Sequence, residues 1–252
     1  MEVFSELVHR LYFTTSNSAK ARILKGYLQS GVDPDRGWAV AALGGTLDLS
    51  LFKRKLVLRL IKSRVDPYLF DASYDYVGDL SETVSLLWPA KRTSHSQALP
   101  SLSQLIEKLS TSSPKQTETY LAGLLDEMSP IQRWALLKLG TGGLRIGISA
   151  RSVKKTLADF GGVDLQEIEQ LWHAIDPPYT ELFDWLENKG PKPDITGKVA
   201  FMPLMLAHPL DDATRNSLNP SDWLVEWKYD GIRVQLVTTS KGAAIFSRTG
   251  EN

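Results

Sequence analysis

The chain has 252 residues, 29 Lys and Arg against 29 Asp and Glu, no cysteine and 42% hydrophobic residues, so net charge alone points to no polyanionic partner and disulfides and thiolate metal sites are excluded. No stretch approaches the roughly 18 consecutive apolar residues of a membrane helix, and the opening MEVFSELVHRLYF lacks the basic segment and apolar run of a secretory signal. A cytoplasmic protein without a membrane partner is expected, one associated with the nucleoid if the source is bacterial.

Residues 1 to about 190 read as helix throughout. SNSAKARILKGYLQSG offers a Ser cap, an apolar stripe at Ile23, Leu24, Tyr27 and Leu28, and Gly31 as a stop. LSLFKRKLVLRLIKSR places Phe52, Leu56 and Leu60 at i, i+4 and i+8, with Lys55, Arg59 and Lys62 on a separate stripe. SYDYVGDLSETVSLLWP, SLSQLIEKLS, PKQTETYLAGLLDEMS, PIQRWALLKLG, SARSVKKTLADFGG, DLQEIEQLWHAI and PYTELFDWLENKG are predicted as further helices, with WPAKRTSHSQALPS the clearest loop. No fixed-period repeat is present, which argues against a solenoid.

The neutral total hides segregation. Residues 49–65 hold six basic residues (Lys53, Arg54, Lys55, Arg59, Lys62, Arg64) and no acid, and residues 128–158 hold six more (Arg133, Lys138, Arg145, Arg151, Lys154, Lys155), again with no acid. Residues 159–187 carry eight acids and neither Lys nor Arg. Such blocks suggest faces of opposite sign, a basic face being the footprint of phosphate contact, although helical proteins also carry solvated charged faces.

At GPKPDITGK (190–198) Pro and Gly cluster and the helical period gives way to β patterns. A domain boundary is placed there, with 1–194 a helical domain and 195–252 the opening of a β-rich one. Three strands are predicted, at 224–228, 232–239 and 243–248, joined by Asp230-Gly231 and Lys241-Gly242 turns. Three strands with one uncovered face make a poor independent domain, so the chain is expected to be part of something longer. In WLVEWKYDGIRVQLV the turn carries Lys228, with Glu226 before it and Arg233 after it. The lysine is either a solvated turn residue or a nucleophile whose amine is tuned by its surroundings, with Arg233 and Arg248 as fork-shaped phosphate ligands.

EWKYDGIR, followed by SRTGEN, resembles the first two signature motifs of ATP-dependent DNA ligases. FMPLMLAHP (201–209) resembles the start of their adenylation domain, while GGLRIGIS (142–149) and YVGDLSETVSLL (76–87) resemble parts of their helical DNA-binding domain. The resemblance implies an all-α, multi-helix DNA-binding domain followed by the first antiparallel strands of an α+β nucleotidyltransferase domain. It implies nick sealing through a lysyl-adenylate on Lys228, with Glu226, Arg233 and Arg248 contacting ATP, and Asp230 and Gly231 shaping the turn. Arg145, Gly147, Ser149 and Arg151 are implied as DNA contacts, Gly143 and Gly147 letting backbone amides approach the DNA backbone. ATP and Mg²⁺ follow from the family, while the residues themselves offer no metal-ligand set: His9, His95, His173 and His208 are scattered and expected to be structural or exposed. The partner implied is nicked or double-stranded DNA bound without regard to sequence, by a monomer. Later pocket motifs are missing, so the chain by itself is expected to bind DNA without completing catalysis. An RNA ligase or capping enzyme, or a helical DNA-binding module without catalysis, are the alternatives.

Overall fold

A computed structural model of the chain describes residues 1–89, 98–141, 144–202 and 209–248. Among these residues lie thirteen α-helices and one two-stranded sheet. The helices are α1 (Glu2–Tyr12), α2 (Asn17–Ser30), α3 (Asp35–Gly44), α4 (Arg54–Lys62), α5 (Pro67–Val77), α6 (Leu80–Leu87), α7 (Leu102–Thr111), α8 (Pro114–Glu127), α9 (Pro130–Gly140), α10 (Ala150–Gly161), α11 (Leu165–Trp172), α12 (Thr180–Leu186) and α13 (Asp212–Asn216). The strands are β1 (Val234–Thr239) and β2 (Gly242–Ser247). The chain divides into two compact units, one of Met1–Leu165 with Asp176–Pro193, the other of Gln166–Ile175 with Asp194–Asn252.

Short polar side chains set most helix starts in the first unit. Ser16, Asp66, Asp79, Ser101, Ser113, Ser129 and Ser149 each accept a hydrogen bond from the amide three residues on. Ser101, Ser113 and Ser129 form reciprocal boxes with Gln104, Gln116 and Gln132, and prolines open α8 and α9. The stretch 73–89, expected as one helix, is two: Gly78 at φ +75° ends α5 and Asp79 caps α6. Left-handed backbone at that glycine cannot continue a helix, and the capping carboxylate starts a new one. The 49–64 helix begins only at Arg54, and α11 stops at Trp172. The helix α3 lacked a sequence signal because it is buried nearly all round (Arg36, Gly37, Ala39, Val40, Ala41, Leu43), which erases the polar stripe. Most of the loop predicted at WPAKRTSHSQALPS lies outside the described residues.

Packing centres on α9, whose residues from Arg133 to Gly140 are all buried and which packs against α1 and α6. On another side α10 packs on α2, α3 and α12. There Arg36, only 3% exposed, donates to both carboxylate oxygens of Asp33 (3.1 and 2.6 Å) and of Glu187 (2.7 and 3.1 Å) and to the Leu28 carbonyl. Its guanidinium also lies 4.0 Å from the centre of the Phe183 ring. This one side chain ties the α2–α3 connection to the end of α12.

In the second unit β1 and β2 pair antiparallel, from Val234 opposite Ser247 to Thr239 opposite Gly242, so the turn is Ser240-Lys241. Phe246 meets Phe201, which meets His173, at ring distances of 6.1 and 5.1 Å. Gln235 bonds both the amide and the carbonyl of Met202, at 2.7 and 2.9 Å, as a strand neighbour would. The strand expected at 224–228 does not form: that segment has no regular structure, with Leu224, Val225 and Trp227 86–92% exposed. An alternating sequence favours a strand only where a neighbour takes its N–H and C=O groups, and no described strand lies beside this one. Asp230-Gly231 therefore closes no hairpin here.

The Arg36 cluster makes a pH-dependent contribution to stability. Hydrogen bonds from Arg36, then from Lys189, hold the Glu187 carboxyl down to about 2, against an ordinary value of 4.5. A depressed folded pKa contributes stability in full above 4.5 and loses it as pH falls toward about 2. Urea titrations from pH 5.5 to 2.5 should show that loss, and Glu187→Gln should flatten it. Arg36→Met, which strands two carboxylates, should lower stability by about 3 kcal/mol with an unchanged m-value.

Candidate functional site

Residues 144–149 lie between α9 and α10, and 144–147 alternate inward and outward. Leu144 and Ile146 are buried, at 6% and 2% exposure, while Arg145 and Gly147 face out. The alternation needs left-handed backbone at both outward positions: Arg145 has φ +46° and Gly147 φ +71°. Gly147 accepts this freely; for Arg145 it is a strained conformation, costing on the order of 1 kcal/mol, and the buried flanking side chains hold it. Ser149 is spent locally: its hydroxyl caps α10 through the Ser152 amide and lies 2.9 Å from the Ser152 hydroxyl. Arg151, in the first turn of α10, is exposed. Gly143 lies outside the described residues.

Behind the loop stands Lys20 of α2, itself only 7% exposed. Its Nζ donates to the carbonyls of Ile146 (2.9 Å) and Gly147 (2.7 Å). A Cβ on residue 147 would fall 2.5 Å from that Nζ and would displace the ammonium, while the positive φ is what calls for glycine. Lys20 was not singled out from the sequence, yet a signal exists: it shares the i, i+4, i+8 row with Leu24 and Leu28, a lysine on the buried face of an amphipathic helix.

The basic blocks do not all reach the surface. Arg133 is buried and donates to the carbonyls of Leu125 and Trp88, and Lys138 is buried and pairs with Asp79. Burial works against ionisation of Asp79, but hydrogen bonds from Lys138 and the Glu82 amide outweigh it and hold the carboxyl below its usual value. In the first block Lys53, Arg59, Lys62 and Arg64 are paired with Asp48, Glu118, Asp71 and Asp126. The exposed side chains of Arg145, Arg151 and Lys155 make no hydrogen bond or ion pair with a described residue. Arg145 also lines a shallow cleft of about 280 Å³ with Arg54, Tyr74, Asp79, Lys138 and Thr141. Across it Arg54 donates to the Tyr74 hydroxyl at 3.2 Å and sits over its ring. What results is a surface of unpaired cations around a fixed loop, chemistry suited to phosphate oxygens.

In the second unit Glu226, Lys228, Asp230, Gly231 and Arg233 follow one another on exposed coil. None of the charged ones bonds a described residue, and Arg248, just beyond β2, is likewise exposed. The structure brings Glu226, Lys228 and Arg233 together only through the chain itself and encloses none of them, so the described residues form no closed nucleotide pocket. Among them no group of three or more His, Asp or Glu is placed to hold a metal ion, and they do not by themselves fit a bound Mg²⁺. His9 makes tilted and edge-on contacts with Phe13 and Trp134, and His173 an edge-on one with Phe201, while His95, His208, residues 203–208 of FMPLMLAHP and 249–252 of SRTGEN lie outside the described residues. No described helix is long and apolar enough to cross a membrane.

Comparison with known proteins falls on the same two regions. The chain is 24% identical over 262 residues to a "Probable DNA ligase" of Koribacter versatilis, covering 99% of this chain and 45% of that protein. It is 28% identical over 135 residues to a "DNA ligase" of Pyrobaculum arsenaticum and 31% over 142 residues to one of Ignicoccus hospitalis, each match covering 52% of this chain and 23% of the relative. The chain thus spans less than half the length of the relatives it matches. Residues 204–252 match the family described as "ATP dependent DNA ligase domain". Residues 1–158, well over half the chain, match the family "DNA ligase N terminus", and to that family the chain belongs.

Proposed function

We propose that the helical unit is a sequence-independent DNA-binding domain and that residues 195–252 open the adenylation domain of an ATP-dependent, nick-sealing DNA ligase acting as a cytoplasmic monomer. The observation that carries the DNA-binding half is the loop 144–148 with its surround: Arg145, Arg151 and Lys155 stand exposed and unpaired among the described residues while neighbouring cations are taken up by the fold. Arg145 and Arg151 contact phosphates, Gly147 lets the DNA backbone come close, and Ser149 shapes the start of α10. Support for the catalytic half is the sequence EWKYDGIR within the stretch that matches the ligase domain family.

In the full-length protein Lys228 Nζ attacks the α-phosphorus of ATP. A P–N bond forms, pyrophosphate leaves, and the AMP passes to the 5′-phosphate of the nick. Glu226 contacts the adenosine, Arg233 and Arg248 contact phosphate, and Asp230 with Gly231 shapes the segment that presents the lysine. Divalent magnesium would supply charge neutralisation on the phosphates. The 252-residue chain leaves Lys228 on open coil, without the enclosure that makes an amine nucleophilic, and forms no adenylate alone.

Anisotropy titrations with nicked duplex between about 50 and 200 mM salt test the first half. Arg145→Gln and Arg151→Gln should each weaken binding equally on unrelated sequences and reduce the log–log salt slope by about 0.9 for one lost phosphate contact. Unchanged slopes in both variants would remove these arginines from the interface, and a preference for duplex RNA would favour an RNA ligase instead. For the second half, α-labelled ATP and magnesium should label a polypeptide of the relatives' full length and not its Lys228→Ala variant. Label that survives denaturation on that variant would assign the nucleophile elsewhere.

A further inference from the structure

The hydrogen bonds of Lys20 have a directional consequence for the loop in front of it. Carbonyl and N–H of a trans peptide point in opposite directions. The peptides after Ile146 and Gly147 are both trans, and both carbonyls point back to Lys20 Nζ. The N–H groups of Gly147 and Ile148 must therefore point forward, away from α2. Neither donates to a described residue. We infer that Lys20 is a positioning residue, which fixes residues 146–148 so that these two amides form a paired donor site for one phosphate of the DNA backbone. The inference rests on the DNA-binding role proposed above and adds to it the group that aims the loop.

Three features make Lys20 the determinant instead of a bystander. Nothing else described donates to those two carbonyls, so without Lys20 the buried Ile146 carbonyl would have no donor. Its Nζ occupies the space behind Gly147 that a Cβ would need, so side chain and glycine are fitted to each other. Its own burial, at 7% exposure, keeps the ammonium behind the loop and off the DNA. Two adjacent amides recognise a phosphate oxygen without reading a base, and the exposed Arg145 and Arg151 flank them with the charge that a phosphate requires.

The test uses the 252-residue chain and a nicked duplex. Lys20→Met keeps the length of the stem and removes its donors. Affinity should fall about tenfold, the loss of one charge-assisted hydrogen bond or slightly more. The salt slope should stay that of the unaltered chain, because no cation leaves the interface, and Lys20→Arg should recover part of the affinity. Unchanged affinity in a folded Lys20→Met variant overturns the inference. So does a slope lowered by about 0.9, which would place Lys20 itself on a phosphate. Should the variant fail to fold, amide exchange on the unaltered chain decides: nicked duplex should protect Gly147 and Ile148 N–H, and absence of protection while DNA is bound overturns the site. No binding by the unaltered chain would overturn the DNA-binding role as well, an outcome distinct from the others.

Discussion

A cation taken out of water must find its acceptors in the protein, and the helical unit is built around four cases. Lys20, Arg36, Arg133 and Lys138 are the buried basic residues among those described. Each would cost several kcal/mol if left unpaired. Arg36 resolves this with two carboxylates and an aromatic face, Arg133 with two carbonyls at helix ends, Lys138 with the capping Asp79, and Lys20 with two loop carbonyls. Each has at least one partner far off in sequence (Glu187, Trp88, Asp79, Ile146), so each joins elements that local propensity could not bring together. Asp79 is the most economical of them: one oxygen caps α6 through the Glu82 amide while the other holds α9 through Lys138.

Pairing also shapes the surface by subtraction. Of the twelve cations in the two acid-free blocks, those in the interior or opposite a carboxylate are neutralised in place. Among the described residues of the two blocks, the exposed cations without a carboxylate partner are Arg54 and Lys55 on α4 and Arg145, Arg151 and Lys155 at the loop after α9 and in α10. A field of that kind acts over about 10 Å at moderate salt.

Much of this fold was legible in the residues. Ser-Pro and Ser-x-x-Gln starts, amphipathic rows and the 190–198 breaker region mark the helices and the change to β pattern. What misled was context. Gly78 followed by Asp79 is a stop and a start, yet Tyr76, Val77 and Leu80 read smoothly across it. α3 hides because burial on all sides removes its period. Residues 224–228 alternate like a strand, but alternation specifies only which face is apolar, and a strand also needs a neighbour. For the candidate site, the outward residues were readable from GLRIG, while the charge states of its surroundings were not. Whether Lys138 lies in a core or on a surface depends on α9 being central, which is a tertiary fact.

The helix α2 grips α10 at both ends. Lys20 holds the loop that leads into it, and Lys25 Nζ donates to the Asp159 carbonyl in its last turn at 2.7 Å. A loop splinted in this way cannot change shape without dragging a helix along the length of its neighbour. Its conformational entropy is given up when the chain folds, long before any ligand arrives. The speed of complex formation is then governed by encounter and orientation, not by rearrangement of the protein. In the DNA complex proposed above, any adaptation demanded at that contact falls to the more pliable partner, the nucleic acid.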